Sequence, residues 1–326
     1  MKQTGAQRVV AIGDLNGSHE TLLAILRGLR LIGREEQWVA RNTHLIQLGD
    51  LFNRGGGAKP AIELLLQLQK DAPARKSKVS VILGNHEVMT ALGNEAYCSV
   101  DEYLSFATET QRRAWPAKVH KAMRQIYRDH PRGGPILPLH PRLDAWKINN
   151  VPGREAMRRA LGPRGRLGRS LRKLPVALMV GQSVFSHAPL TPRWARLGID
   201  GLNAEAQEAF RDAPSFYRDL PKGSILESAN GPLWNRSLVK SKSTRSRQQL
   251  QRSLDLLGAR RMIVGHTMTR HIKGGKDGII KLCQRGKVVC IDVGLGRGRP
   301  RPRTALLIED GAGYEWTPNG TRRLWR

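Results

Sequence analysis

The 326 residues suffice to bury a large core, either in one big α/β domain with an insertion or in two small domains; a single domain spanning 1–326 is expected. With 55 Lys and Arg against 27 Asp and Glu, the formal charge of +28 draws phosphorylated or otherwise anionic partners. No RNP box, zinc-finger spacing or basic heptad turns that charge into a nucleic-acid module, so nucleic acid stays a partner unsupported by motif. The three cysteines, Cys98, Cys283 and Cys290, form no CxxC and no disulfide framework, which fits a reducing cytoplasm. The first residues run into a strand without a signal-type apolar core, and no stretch of about 18 apolar residues is present, so no membrane partner is expected.

The first element is RVVAIGDLNG (8–17), a short apolar strand stopped at Gly13 that delivers Asp14 into a loop. Ser18 then reads as the N-cap of a helix with Leu22, Leu23, Leu26, Leu29 and Ile32 at helical spacing; His19, in its first turn, reads as structural. A second strand at 43–48 ends in GDLFNRG, a helix follows at 58–69, and a third strand ends in GNHE at 84–87. Residues 88–174 read as a helical cap with a Pro/Gly-rich bend at 131–141 and a basic run from Arg154 to Lys173. Strand character returns as a hairpin at 175–188, helix and loop fill 203–255, and RRMIVGHT, IIKLCQRGKVVCIDVG and TALLIED supply a second group of strands. RGRPRPR (297–303) reads as a loop.

The first three strand ends share a pattern. Asp14, Asp50 and Asn85 lie 36 and 35 residues apart, the length of a βαβ unit, and each follows a strand stopped by glycine. In an open α/β sheet ligands bind beyond the carboxyl ends of the strands, and a divalent cation there wants carboxylates, amide oxygens and imidazoles.

GDLNG, GDLFNRG and GNHE resemble the GDxHG, GDxxDRG and GNHE boxes of the calcineurin-like metallophosphoesterases, most of all the bacterial Shewanella-like branch of the phosphoprotein phosphatases. FSHA (185–188), GPLWNR (231–236), VGHT (264–267) and IDVG (291–294) fall downstream in family order. The resemblance implies a four-layer αββα sandwich with the helical cap inserted. It implies two divalent ions, Mn first and Fe, Zn or Mg as alternatives, that activate a bridging water against a phosphate monoester. Asp14, Asn16 and Asp50 would hold one ion; Asp50 with Asn85, His187 and His266 would hold the other. His86 matches the general acid and Glu87 a structural or His-orienting partner, while Arg54 and Arg236 match phosphate clamps.

The sequence departs from the family pattern twice. Asn16 stands where the motif has His, which puts an amide oxygen in place of an imidazole nitrogen at the first ion. Asn53 stands where GDxxDRG has Asp, which changes how Arg54 or a ligand is held. The substrate implied is a phosphorylated protein or a small phosphate ester. Two other readings stand beside it: hydrolysis of dinucleoside polyphosphates or other nucleotides, and a weakly active or inactive phosphate- or RNA-binding protein impaired at Asn16.

Overall fold

The computed structural model describes residues 8–129, 141–241, 243–298 and 301–326. Its first strand, β1 (Arg8–Ile12), is buried along nearly its whole length, as its run of Val, Ala and Ile requires of a strand covered on both faces. It pairs in parallel with β2 (Thr43–Gln47), which pairs in parallel with β3 (Lys78–Val81). The connections are α1 (His19–Gly28) and α2 (Ala58–Asp71), long enough to cross over between parallel neighbours. Leu22, Ile25 and Leu26 of α1, and Ala61, Ile62, Leu65 and Leu68 of α2, recur every three or four residues and are buried. Ser18 occupies the N-cap of α1, but its hydroxyl donates to Thr21 Oγ1 at 2.7 Å rather than capping the helix.

After β3 the elements among the described residues are helices, α3 (Asn85–Ala91), α4 (Val100–Phe106), α5 (Glu109–Asp129), α6 (Pro141–Asn150), α7 (Arg154–Leu161) and α8 (Arg166–Leu171), up to the second sheet. Stacked Trp115 and Trp146, 5.7 Å apart, join α5 to α6. The bend expected at 131–141 falls, except for its last residue, outside the described residues. The basic run is largely engaged. Arg154 and Arg158 bind Glu95, Arg166 binds Glu63, and Arg172 donates to backbone carbonyls while lying over Phe210.

The second sheet begins with the expected hairpin, β4 (Ala177–Val180) and β5 (Ser183–Ser186). Three helices follow, α9 (Pro192–Ala195), α10 (Gly198–Arg211) and α11 (Ser237–Lys240). The fourth, α12 (Thr244–Leu257), is capped by Ser243, whose side chain accepts from Ser246 N–H, and ended by Gly258 in the left-handed region. Then β6 (Arg261–Val264) pairs in parallel with β5, and β8 (Val288–Cys290) pairs in parallel with β6 after the short antiparallel edge strand β7 (Lys281–Cys283).

TALLIED corrects the expectation drawn from it. As β9 (Ala305–Glu309) it crosses back to pair antiparallel with β1 and does not join the second group. The hairpin β10 (Ala312–Thr317) and β11 (Gly320–Trp325), absent from the sequence reading, extends that edge. The sheets run β11-β10-β9-β1-β2-β3 and β4-β5-β6-β8-β7, flanked by helices. No helix among the described residues is long and apolar enough to cross a membrane. Cys98, Cys283 and Cys290 are in no disulfide, and the last two sulfurs lie 3.9 Å apart.

Candidate metal centre

Six parallel strands, three from each sheet, end at one edge of the sandwich, and just beyond each end sits one side chain that can ligate a cation. Asp14 follows β1, Asp50 β2, Asn85 β3, His187 β5, His266 β6 and Asp292 β8. All six are buried. The loops that present them are tight: Asn16, Asp50, Asn53, Arg54 and His266 all have left-handed φ, between 43° and 71°, a conformation non-glycine residues adopt where surrounding contacts enforce it. Gly84 is required because a Cβ there would lie 2.4 Å from Asp50 N and from its carboxylate Oδ1.

Asp50 is the hub. Its Oδ1 accepts from His86 N–H at 3.0 Å and lies 3.3 Å from His187 Nε2, while Oδ2 lies 3.7 Å from His86 Nε2. Ligand atoms of Asp50, His187 and His266 all fall within 4.8 Å of one another. His187 Nδ1 donates to Leu48 C=O at 2.7 Å, which fixes the tautomer and leaves Nε2 with its lone pair facing Asp50 and Asn85 Oδ1, the latter at 2.9 Å. His266 Nε2 faces Trp234 C=O at 3.1 Å, and its backbone N–H donates to Asp14 at 3.0 Å. The GPLWNR box thereby joins two others: besides Trp234, Pro232 C=O accepts from Ala188 N–H at 2.8 Å and Asn235 donates to Pro189 C=O at 3.0 Å.

The electrostatics fit a bound cation. Burial, then the Asp292 and Asp50 carboxylates, push Asp14 well above the usual carboxylate range; burial also lifts Asp292 to about 7. Burial would raise Asp50 too, but His187, His86 and His266 together hold it low. Burial keeps His187 and His266 neutral. Among the described residues no Lys or Arg nitrogen comes within 4 Å of the Asp14, Asp50 or Asp292 carboxylates. Buried carboxylates with no ion-paired cation, on which Arg236 and Arg297 act only from a distance, face imidazole lone pairs and an amide oxygen, and together form a donor set that exchanges protons for divalent ions.

The other expected residues fall around this edge. Asn16 turns its amide nitrogen to Asp50 C=O at 3.3 Å, so the amide oxygen is what this position offers a cation. Arg54 is exposed; its backbone N–H donates to Tyr97 C=O at 3.0 Å and its guanidinium lies 5.2 Å above the Tyr97 ring. Arg236 donates to His266 C=O at 2.6 Å. Glu87 does not touch the His86 ring. Its two oxygens accept N–H bonds from Asp50, Leu51, Phe52 and Gly84, so it holds the loop that presents Asp50. The partner that orients His86 is Asn53, through Oδ1 to Nδ1. His19 lies in the first turn of α1, outside this cluster.

Sequence reasoning missed Tyr97 and Glu102 and attached no role to Asp292. Tyr97, 47% exposed, stands edge-on to His86 with ring centroids 5.2 Å apart. Glu102 accepts from Asn53 N–H at 2.8 Å. Neither falls in a box, whereas IDVG was a visible box with no role attached.

Fold and site define a metal-dependent phosphoesterase. Residues 7–159 match the model of the calcineurin-like phosphoesterase family, a span that includes Asp14, Asp50 and the GNHE box, and the chain carries a domain of that family. Its relatives include Shewanella-like protein phosphatase 2 of Arabidopsis thaliana, 27% identical over 308 residues that make up 89% of this chain and 72% of the relative. Shewanella-like protein phosphatase 1 of Plasmodium berghei is 25% identical over 80% of this chain and 61% of its own length. The crystal structure of a cold-active protein-tyrosine phosphatase from a psychrophilic Shewanella covers 98% of this chain and 81% of that one, with a TM-score of 0.70 at 20% identity, and shares the fold. The chain is a hydrolase of phosphate esters.

Proposed function

We propose that this hydrolase is a protein phosphatase, acting on phosphorylated side chains that enter beside Arg54, His86 and Tyr97. The observation that carries the reading is the grouping of an exposed guanidinium, a buried imidazole and an exposed aromatic ring at the open side of the Asp50 cluster. The names of the two curated relatives point the same way.

Asp14, Asn16 and Asp50 would hold one divalent ion, and Asp50, Asn85, His187 and His266 the second, with Mn the first choice from a mixed oxygen and nitrogen set. Such ions supply a water activated near neutral pH and neutralise charge on the phosphoryl oxygens. Arg54 binds two of those oxygens through its fork and Arg236 a third, which orients the ester. His86, in its imidazolium form with Nδ1–H held by Asn53 Oδ1, gives its Nε2 proton to the leaving oxygen and is left neutral. Tyr97 covers the side of His86 and offers an aromatic face to the side chain that leaves. The helices from 88 to 174 cap one domain, and the reduced cysteines suit the cytoplasm.

The test is a panel of p-nitrophenyl phosphate, phosphotyrosine, phosphoserine and phosphothreonine peptides and dinucleoside polyphosphates, each with Mn, Mg, Zn or chelator. Phosphopeptide turnover that needs Mn supports the reading. A higher kcat/KM for dinucleoside polyphosphates than for every phosphopeptide would replace it with the nucleotide reading.

A further inference from the structure

We propose that Asp292 is a ligand of the first cation, joining Asp14, Asp50 and Asn16 and making up for the imidazole that the sequence lacks at position 16. This rests on the two-ion reading above, and it adds a donor from a box to which no role is attached.

The argument begins with topology. β6 and β8 are parallel neighbours, and the ladder continues past their ends, where Ile291 N–H donates to Val264 C=O at 2.8 Å. Two residues beyond Val264 is His266; two residues beyond Cys290 is Asp292. Position for position, Asp292 is placed on β8 as His266 is placed on β6.

Close backbone packing then sets Asp292 against Asp14. A Cβ on Gly13 would meet Ile291 C=O at 2.1 Å and Asp292 N at 3.2 Å, so the glycine before Asp14 lets the two strand ends touch. The same loop covers the neighbouring donor: a Cβ on Gly296 would come within 2.9 Å of Asn16 Cβ and 2.4 Å of Leu15 C=O. The Asp292 backbone is fixed from the other side, with its C=O accepting from Thr269 N–H at 2.8 Å.

The side chain itself is underemployed. Asp292 is 4% exposed, and its carboxylate accepts one long bond, 3.3 Å from Gly294 N–H; Arg236 and Arg297 favour its charge only from a distance, no cationic side chain among the described residues lying within 4 Å. A buried carboxylate left so poorly satisfied beside two others is destabilising in the metal-free chain and becomes favourable when a cation sits among them. Asp292 is the natural donor to a hard ion on the Asp14 side, where Asn16 offers only a neutral oxygen.

The test uses the full chain, Asp292→Asn, and Mn alone as probe. Asparagine keeps the shape and the acceptor for Gly294 N–H while removing the charge. Thermal unfolding is followed with chelator and with saturating Mn, and binding is followed by calorimetry. The metal-free variant is expected to melt at least as high as the metal-free wild type, because one of three repelling carboxylates is gone. Its rise in Tm on adding Mn should be smaller, the weaker Mn site should lose at least about tenfold in affinity, and the tighter site should titrate unchanged. Asn16→His in the Asp292→Asn background should recover part of the lost affinity. A lower metal-free Tm with an unaltered rise on Mn addition would make Asp292 a structural loop residue and overturn the proposal, as would two wild-type Mn isotherms. Both readouts are independent of substrate, so failure of the phosphatase reading in the substrate panel remains distinguishable from failure here.

Discussion

Oδ1 of Asn53 lies 2.5 Å from Nδ1 of His86, and Asn53 is itself held by its amide nitrogen, which donates to Thr90 Oγ1 at 3.1 Å, Cys98 Sγ at 3.2 Å and Glu102 Oε2 at 3.3 Å. An amide oxygen only accepts, so Nδ1 of His86 carries hydrogen and Nε2 is the end that exchanges a proton with the site. The Asn that departs from the GDxxDRG pattern therefore orients the proposed acid without adding charge beside it.

Removing that partner should separate catalysis from metal binding. Asn53→Ala leaves every proposed ligand in place but frees the His86 ring to rotate, so kcat on a phosphopeptide is expected to fall about ten- to a hundredfold, part of the contribution of a positioned acid. Mn content should stay at the wild-type value. Ring nitrogen shifts in an NMR spectrum of the wild type should report hydrogen on Nδ1 of His86; hydrogen on Nε2 alone would contradict the assignment.

Glu87→Gln should act on the scaffold instead. Four backbone N–H groups share the two Glu87 oxygens, and an amide offers one oxygen and a donor that repels the remaining N–H groups. Two buried donors left without acceptors cost roughly 1–3 kcal/mol each. The loss should appear as a clear drop in Tm and as weaker Mn retention on gel filtration, because the loop that presents Asp50 loosens. An unchanged Tm would remove Glu87 from that role.

How much of this was legible in the sequence depends on the range of the interaction. Asp14, Asp50 and Asn85 were legible as strand-end residues because each sits just past a glycine-stopped strand, a local signal that survives without knowledge of the partner strands, whereas His187 and His266 were marked only by the resemblance of FSHA and VGHT to family boxes. The crossover strands β1 to β3 and their helices were readable from periodicity. Glu102 was not, because it reaches Asn53 across 49 residues of chain and nothing local marks it. The position of β9 was not, since an apolar run of five says that a strand exists but not which sheet edge it completes. The true partners of Glu87 were obscured by its neighbour in sequence, His86, because residues adjacent in a helix point to different sides.

Tyr97 offers a test of substrate class. Its ring lies between the Arg54 guanidinium and the His86 edge, so Tyr97→Ala removes an apolar wall without touching a proposed ligand. kcat/KM should fall more for phosphotyrosine peptide and p-nitrophenyl phosphate than for phosphoserine peptide, by about the 0.5–1.5 kcal/mol that an aromatic pair adds, or roughly two- to tenfold. Equal losses on all three would assign Tyr97 to positioning Arg54 and His86 rather than to contact with the leaving group.

Glu102 gives the chain a pH-dependent stability that one substitution should isolate. Burial raises its carboxyl to about 7, against an ordinary 4.5, although N–H bonds from Asn53 oppose the rise. The folded state thus binds the proton more tightly than the unfolded state, so stability from this group is complete below about pH 4.5 and is lost as pH rises toward 7. A difference of this size corresponds to on the order of 3 kcal/mol. Glu102→Gln is neutral at every pH and escapes that loss. With both proteins loaded with Mn, denaturant unfolding at pH 5 should find them similar, and at pH 8 the variant should be the more stable, by an amount that levels off above about pH 7. Every other ionisable group is common to both proteins, so the difference between the two curves reports on Glu102 alone. A difference that does not change between pH 5 and pH 8 would show that Glu102 is ionised throughout, with Asn53 and the surrounding N–H groups outweighing burial.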